Sequence, residues 1–113
     1  MRVIRVRVPE VFGDLYEPEQ DRLLHTAFRH YARQRAQELQ AETIEAKEHI
    51  RKFEARYGVT FSAFEERVLP ALSSADAHDD YNAWLFWESV LERQTETLHK
   101  LHNLGLTSDE AAA

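Results

Sequence analysis

Six histidines and twenty acids are the side chains best suited to do chemistry in this 113-residue chain. The sharpest spacing among them is Glu96-x-x-His99, with His102 close behind. Glu-x-x-His is the unit that helical di-metal carboxylate bundles use, but such a centre needs two copies and two further inward glutamates. Here Glu45 lies four residues before His49 and Glu48 adjoins it, so no second copy exists, and Glu96 and His99 flank Leu98 instead of taking its core position. A solvated helix face explains them, and no metal and no cofactor is expected. There is no cysteine, no Gly-x-Ser-x-Gly elbow and no glycine-rich phosphate loop. Glu48 and Lys52 have the i,i+4 spacing of surface pairs. The expectation is a protein that is not an enzyme.

A second grouping is aromatic. Tyr81, Trp84, Phe86 and Trp87 share a short stretch with Glu88 and Glu92. At about 100° per residue Phe86 lies about 200° round from Trp84, so these rings cover more than one helix face. One face can fill a core. The other is expected to anchor a protein partner, because Trp and Tyr dominate binding hot spots.

The elements that position these residues read mostly as helix. Residues 2–8 alternate Ile4, Val6 and Val8 with Arg5 and Arg7, which predicts a short N-terminal strand ended by Pro9 and paired with another chain. Residues 11–16 read as a turn. Glu17-Pro18 then opens a helix with acids in its first turn, and no Gly or Pro interrupts it until Gly58. That is about 60 Å of helix at 1.5 Å per residue. Leu24, Phe28 and Tyr31 share a face early on. Ala32, Ala36, Leu39, Thr43, Ala46, Ile50, Phe53 and Tyr57 then follow an unbroken 4-3 spacing, a heptad seam.

Thr60 begins a short second helix carrying Phe61, Phe64 and Val68, with Pro70 beyond its last turn. Residues 71–79 read as a polar linker. A last helix from about His78 to Asn103 repeats Trp84, Trp87, Leu91, Gln94, Leu98 and Leu101 on its own seam and stops at Gly105. The predicted class is therefore mainly all-α: N-terminal strand, one long amphipathic helix, a short helix, and a C-terminal helix folded back as an αα-hairpin or coiled coil. Three segments follow: 1–16 for dimerisation or partner contact, 17–105 as the helical coiled-coil domain, and 106–113 as a frayed tail. The stretch Leu23–Leu39 is expected to stay uncovered, so Ala32, Ala36, Leu39, Ile50 and Phe53 are candidate seam residues of a homo-oligomer.

Charge sharpens this. Residues 1–36 carry seven arginines against five acids; residues 37–113 carry seven bases against fifteen acids. An acidic back half disfavours nucleic acid and allows a basic partner to dock there. Val6-Arg7-Val8-Pro9-Glu10 resembles the strand of ribbon–helix–helix repressors, which makes Arg5 and Arg7 candidate DNA contacts. That fold needs two short helices, however, and 17–57 contains no break. No apolar run is long enough for a membrane span, no signal peptide is apparent, and cysteine is absent, so a cytoplasmic location is expected.

The run from Ile50 through Phe53-Glu-Ala-Arg-Tyr-Gly-Val-Thr-Phe-Ser-Ala-Phe64 to Val68, followed by His78-Asp-Asp-Tyr-Asn-Ala-Trp-Leu-Phe-Trp-Glu88, resembles a group of small bacterial and archaeal antitoxin-like proteins of toxin–antitoxin pairs. Their common pattern is F-x-x-K/R-Y-G-M-x-F-x-x-F at the end of a long helix, then H-E/D-D-Y/W-x-x-W. The likeness covers about residues 40–100, with Val59 where Met is more common. It implies an N-terminal part that dimerises or touches DNA, and acidic C-terminal helices that cover a cognate toxin. The alternative is a homodimeric coiled-coil scaffold or adaptor without a toxin.

Overall fold

The computed structural model describes residues 5–72 and 74–105. Its frame is a helical hairpin of 67 × 29 × 23 Å. After a 3-10 turn at Glu10–Asp14, α1 runs Glu17–Tyr57. Pro18 sits in its first turn, where a missing N–H leaves no bond unmade. The helix ends at Gly58, whose φ of 70° takes the left-handed conformation that side-chain-bearing residues resist, while its N–H donates to the Glu54 carbonyl at 2.7 Å.

Thr60 caps the next element by accepting the Ala63 N–H at 3.3 Å. That element is α2, Phe61–Ala63, continued by a π turn at Phe64–Val68 and a 3-10 turn at Leu69–Ala71. Changing the residues per turn rotates successive side chains, so Phe61, Phe64, Val68, Leu69 and Leu72 all reach one core. Pro70 lies inside the 3-10 turn rather than beyond the helix. Helix α3 spans Ala75–Asn103. It starts earlier than the expected His78 because the Ser74 hydroxyl accepts the Ala77 N–H at 3.2 Å, which turns part of the expected linker into a helix start.

The hairpin is antiparallel, and its cross-links move down the two helices in step. Asp80 meets Arg56 and Tyr57, Trp84 stacks on Phe53, Trp87 stacks on His49, and Gln94 bonds Glu42. The core centres on Ile50, Phe64 and Trp84, with Phe53, Tyr57, Phe61, Tyr81, Trp87 and Leu91 packed against it.

Two expectations are corrected. There is no strand among the described residues: Arg5–Pro9 are irregular, because one strand cannot satisfy its own backbone groups and the described residues offer it no second edge. Residues 1–4 of the expected strand and the tail 106–113 lie outside the described residues. Nor does the whole of Leu23–Leu39 stay uncovered. Ala32, Ala36 and Leu39 are 2%, 7% and 0% exposed. The register explains this for Ala36 and Leu39, since α3 runs beside α1 from Tyr57 back to about position 34. The seam residues Ala32, Ala36, Leu39 and Ile50 are thus buried, and Phe53 half-buried, within one chain.

Candidate partner-binding surfaces

Helix α3 presents one face inward and leaves two others in water, and the predicted contact residues divide between them. Trp84 is fully buried. Its ring lies 5.6 Å from Phe53, 5.4 Å from Phe61 and 5.1 Å from Phe64, and its indole N–H donates to Glu88 Oε1 at 3.3 Å. Tyr81 is half-buried against Phe61, and its hydroxyl donates to Glu65 at 2.7 Å. Trp87 lies flat on the His49 ring, with centroids 3.9 Å apart and planes 5° from parallel. These three aromatics therefore belong to the hairpin. Phe86 does not: it stays 56% exposed, edge-on to Trp87.

A groove of about 910 Å³ runs along α3, edged by Lys47 of α1 and Phe61 of α2. Its apolar surface comes from Phe61, Leu85 and Leu91; Glu88, Glu92 and Glu96 line it with carboxylates, and Lys47 is the one ammonium among its lining residues. Burial pushes the Glu88 carboxyl above its ordinary value, and the nearby negative charge of Glu54 pushes the same way, against the opposing pull of the Trp84 N–H. Glu96 is held below the usual range by Lys100, its partner at 2.9 Å. His99 lines the same groove. Among the described residues no set of three or more His, Cys, Asp or Glu is grouped to hold a metal ion.

Where the hairpin turns, Asp80 accepts from the Tyr57 hydroxyl at 2.5 Å and from Arg56 at 2.8 Å. The Tyr57 bond, with the Arg56 guanidinium added, holds the Asp80 carboxyl below the usual range. This tie was missed from sequence; its only trace is an aspartate one residue before a core aromatic.

The opposite end of the molecule is different. Val6, Val8, Val11, Leu15, Tyr16, Leu23, Phe28 and Tyr31 are all exposed, as is Leu104. Arg5 and Arg7 are exposed on an irregular segment, without the paired strands a DNA-reading ribbon requires. Leu85 was also missed, although its 3-4-3-4 spacing to Glu88, Glu92, Thr95 and His99 marks a second stripe on α3 beside the seam. No family model, no curated protein and no solved structure matches the chain. No helix among the described residues is long and apolar enough to cross a membrane.

Proposed function

We propose that this chain is a non-catalytic protein-binding protein, and most concretely the antitoxin of a toxin–antitoxin pair, which covers a basic partner with the outer face of α3. The observation that carries this reading is the α3 groove: Leu85, Leu91 and Phe61 supply contact area beside three carboxylates and a single ammonium. A basic amphipathic segment fits that chemistry. Its apolar side covers the floor, and its cations reach Glu88 and Glu92 with little competition from Lys47. Glu88 already bears part of the desolvation that binding would impose, and a partner's cation would relieve it. Leu85, rather than Trp84 and Trp87, is the anchor such a partner would meet, since the two tryptophans are engaged in the hairpin and Phe86 lies outside the groove. The resemblance to antitoxin-like proteins over residues 40–100 points the same way.

A homodimeric scaffold is the second reading, favoured by the exposed apolar end of α1. Affinity capture of the tagged chain from its native cells separates the two. The antitoxin reading expects a stoichiometric small basic protein, retained by the wild type and released by Leu85→Asp with Glu92→Lys. Recovery of the bait alone would sink it and leave the scaffold.

A further inference from the structure

Helix α1 carries two apolar stripes that do not line up. The seam from Ala32 to Tyr57 faces α3. Its own continuation toward the N-terminus is polar, falling on Arg22, His25 and Arg29. Apolar character there moves to Leu24, Phe28 and Tyr31, each one residue before the continued seam and so about 100° round the helix at 3.6 residues per turn. Longer coverage by α3 would therefore not bury this second stripe. Phe28 is 52% and Tyr31 63% exposed, and of the twelve large hydrophobics exposed among the described residues, eight lie at or before Tyr31.

We propose that this stripe is a homodimer interface, in which α1 pairs with the α1 of a second copy, antiparallel, about a two-fold axis level with Thr26. The order of chemistry along the stripe favours a second copy of the same chain. Glu17, Asp21, Leu24, Phe28, Tyr31 and Arg35 follow one another at 4-3-4-3-4 spacing. Reversed against itself about Thr26, that series is self-complementary, which an isologous contact requires. Leu24 meets Phe28 of the second copy, and Phe28 meets its Leu24. The Asp21 carboxylate meets the Tyr31 hydroxyl, and Glu17 meets Arg35. A parallel pairing would instead set Glu17 on Glu17, Asp21 on Asp21 and Arg35 on Arg35, like against like.

Arg35 already holds Glu38 at 2.9 Å and Glu42 at 3.4 Å through one terminal nitrogen, Nη1. A guanidinium has five N–H donors, so others remain for Glu17 of the second copy. The three apolar side chains of the stripe fall short of the ~800 Å² per partner that a stable interface buries. Exposed Val11, Leu15, Tyr16 and Leu23, at the same end of the chain, extend the contact.

This surface is separate from the α3 groove, so the test uses the purified chain with no partner present. Sedimentation velocity from low to high micromolar concentration should show a reversible monomer–dimer equilibrium. Phe28→Asp should weaken it at least tenfold while helix content and melting of the monomer stay unchanged, because Phe28 lies outside the hairpin core. Arg35→Glu alone should also weaken dimerisation, and Glu17→Arg combined with Arg35→Glu should restore it. That rescue reports the antiparallel register, since in a parallel pair a single reversal only exchanges one like-charge contact for another. Glu92→Lys in the groove should leave the dimer intact. A wild type that is monomeric throughout, a Phe28→Asp dimer of unchanged strength, or a charge swap that fails to rescue would each overturn the proposal.

Discussion

The two ends of α1 are one continuous helix, yet they meet opposite fates. Toward Gly58 the helix is closed over by α2, the π turn and the start of α3. Ile50 and Trp84 lose nearly all contact with water, and the polar tips of Tyr57 and Tyr81 are satisfied by Asp80 and Glu65. Toward Glu17 it projects past the end of α3 and keeps Leu23, Phe28 and Tyr31 in solvent. The difference teaches where the stability of the fold resides. A stripe that finds its complement within the chain holds the fold, and one rotated away from that complement stays in solvent, where the proposed dimer would cover it.

Paired substitutions break this comparison most forcefully. Trp84→Ala should destabilise the chain by about 3–5 kcal/mol, as burying and then removing a large aromatic does, whereas Phe28→Ala should shift monomer stability by no more than about 0.5 kcal/mol. Urea unfolding of both variants at low concentration checks the contrast, and equal losses would erase it. A smaller effect is expected at Gly58, where Gly58→Ala forces a Cβ into φ 70° and should cost about 1 kcal/mol or slightly more, read as a lower melting temperature. Removing the helix cap by Ser74→Ala should cost about 1 kcal/mol and fray the first turn of α3, visible as faster amide exchange at Ala77 and His78.

The smallest expected effects are pH-dependent and opposite in sign. Asp80 titrates lower in the fold than in the unfolded chain, so its tie to Tyr57 and Arg56 stabilises above the unfolded value near 3.8 and is lost as pH falls through the folded value. The stability gap between wild type and Asp80→Asn should therefore narrow in acid. Glu88 titrates higher in the fold, so ionising it opposes folding once pH rises above the unfolded value of 4.5. Glu88→Gln should match wild type in acid and melt slightly higher at neutral pH. Melting curves across pH 3 to 8 read both differences.

Much of the frame was legible because it is written in local chemistry. Pro18 and Gly58 mark the ends of α1, and the 4-3 spacing from Ala32 to Tyr57 marks the face that the structure buries. What was not legible depended on a second element. The seam spacing already set Trp84 and Trp87 on one face of the last helix and Phe86 off it; what it did not show is that closure on Phe53 and His49 takes both tryptophans out of reach of a partner. Ser74 was hidden in a polar run because its role as a cap depends on where the chain turns. The alternation Ile4–Val8 reads as a strand locally, yet a strand exists only with a second edge. The acidic stripe Glu88–Glu92–Glu96 was legible, while Leu85 beside it was not, because a single leucine off the seam reads the same whether it lines a groove or simply faces water.

The most direct test of the account is amide hydrogen exchange of the full chain at two concentrations, one far below and one well above the dimerisation midpoint. The account predicts that residues 39–57 and 77–98 are strongly protected at both, since that seam closes within one chain, and that residues 21–35 gain protection only at the higher concentration. Protection of 39–57 that appears only at high concentration would contradict it, because the seam would then be made between copies and not within one.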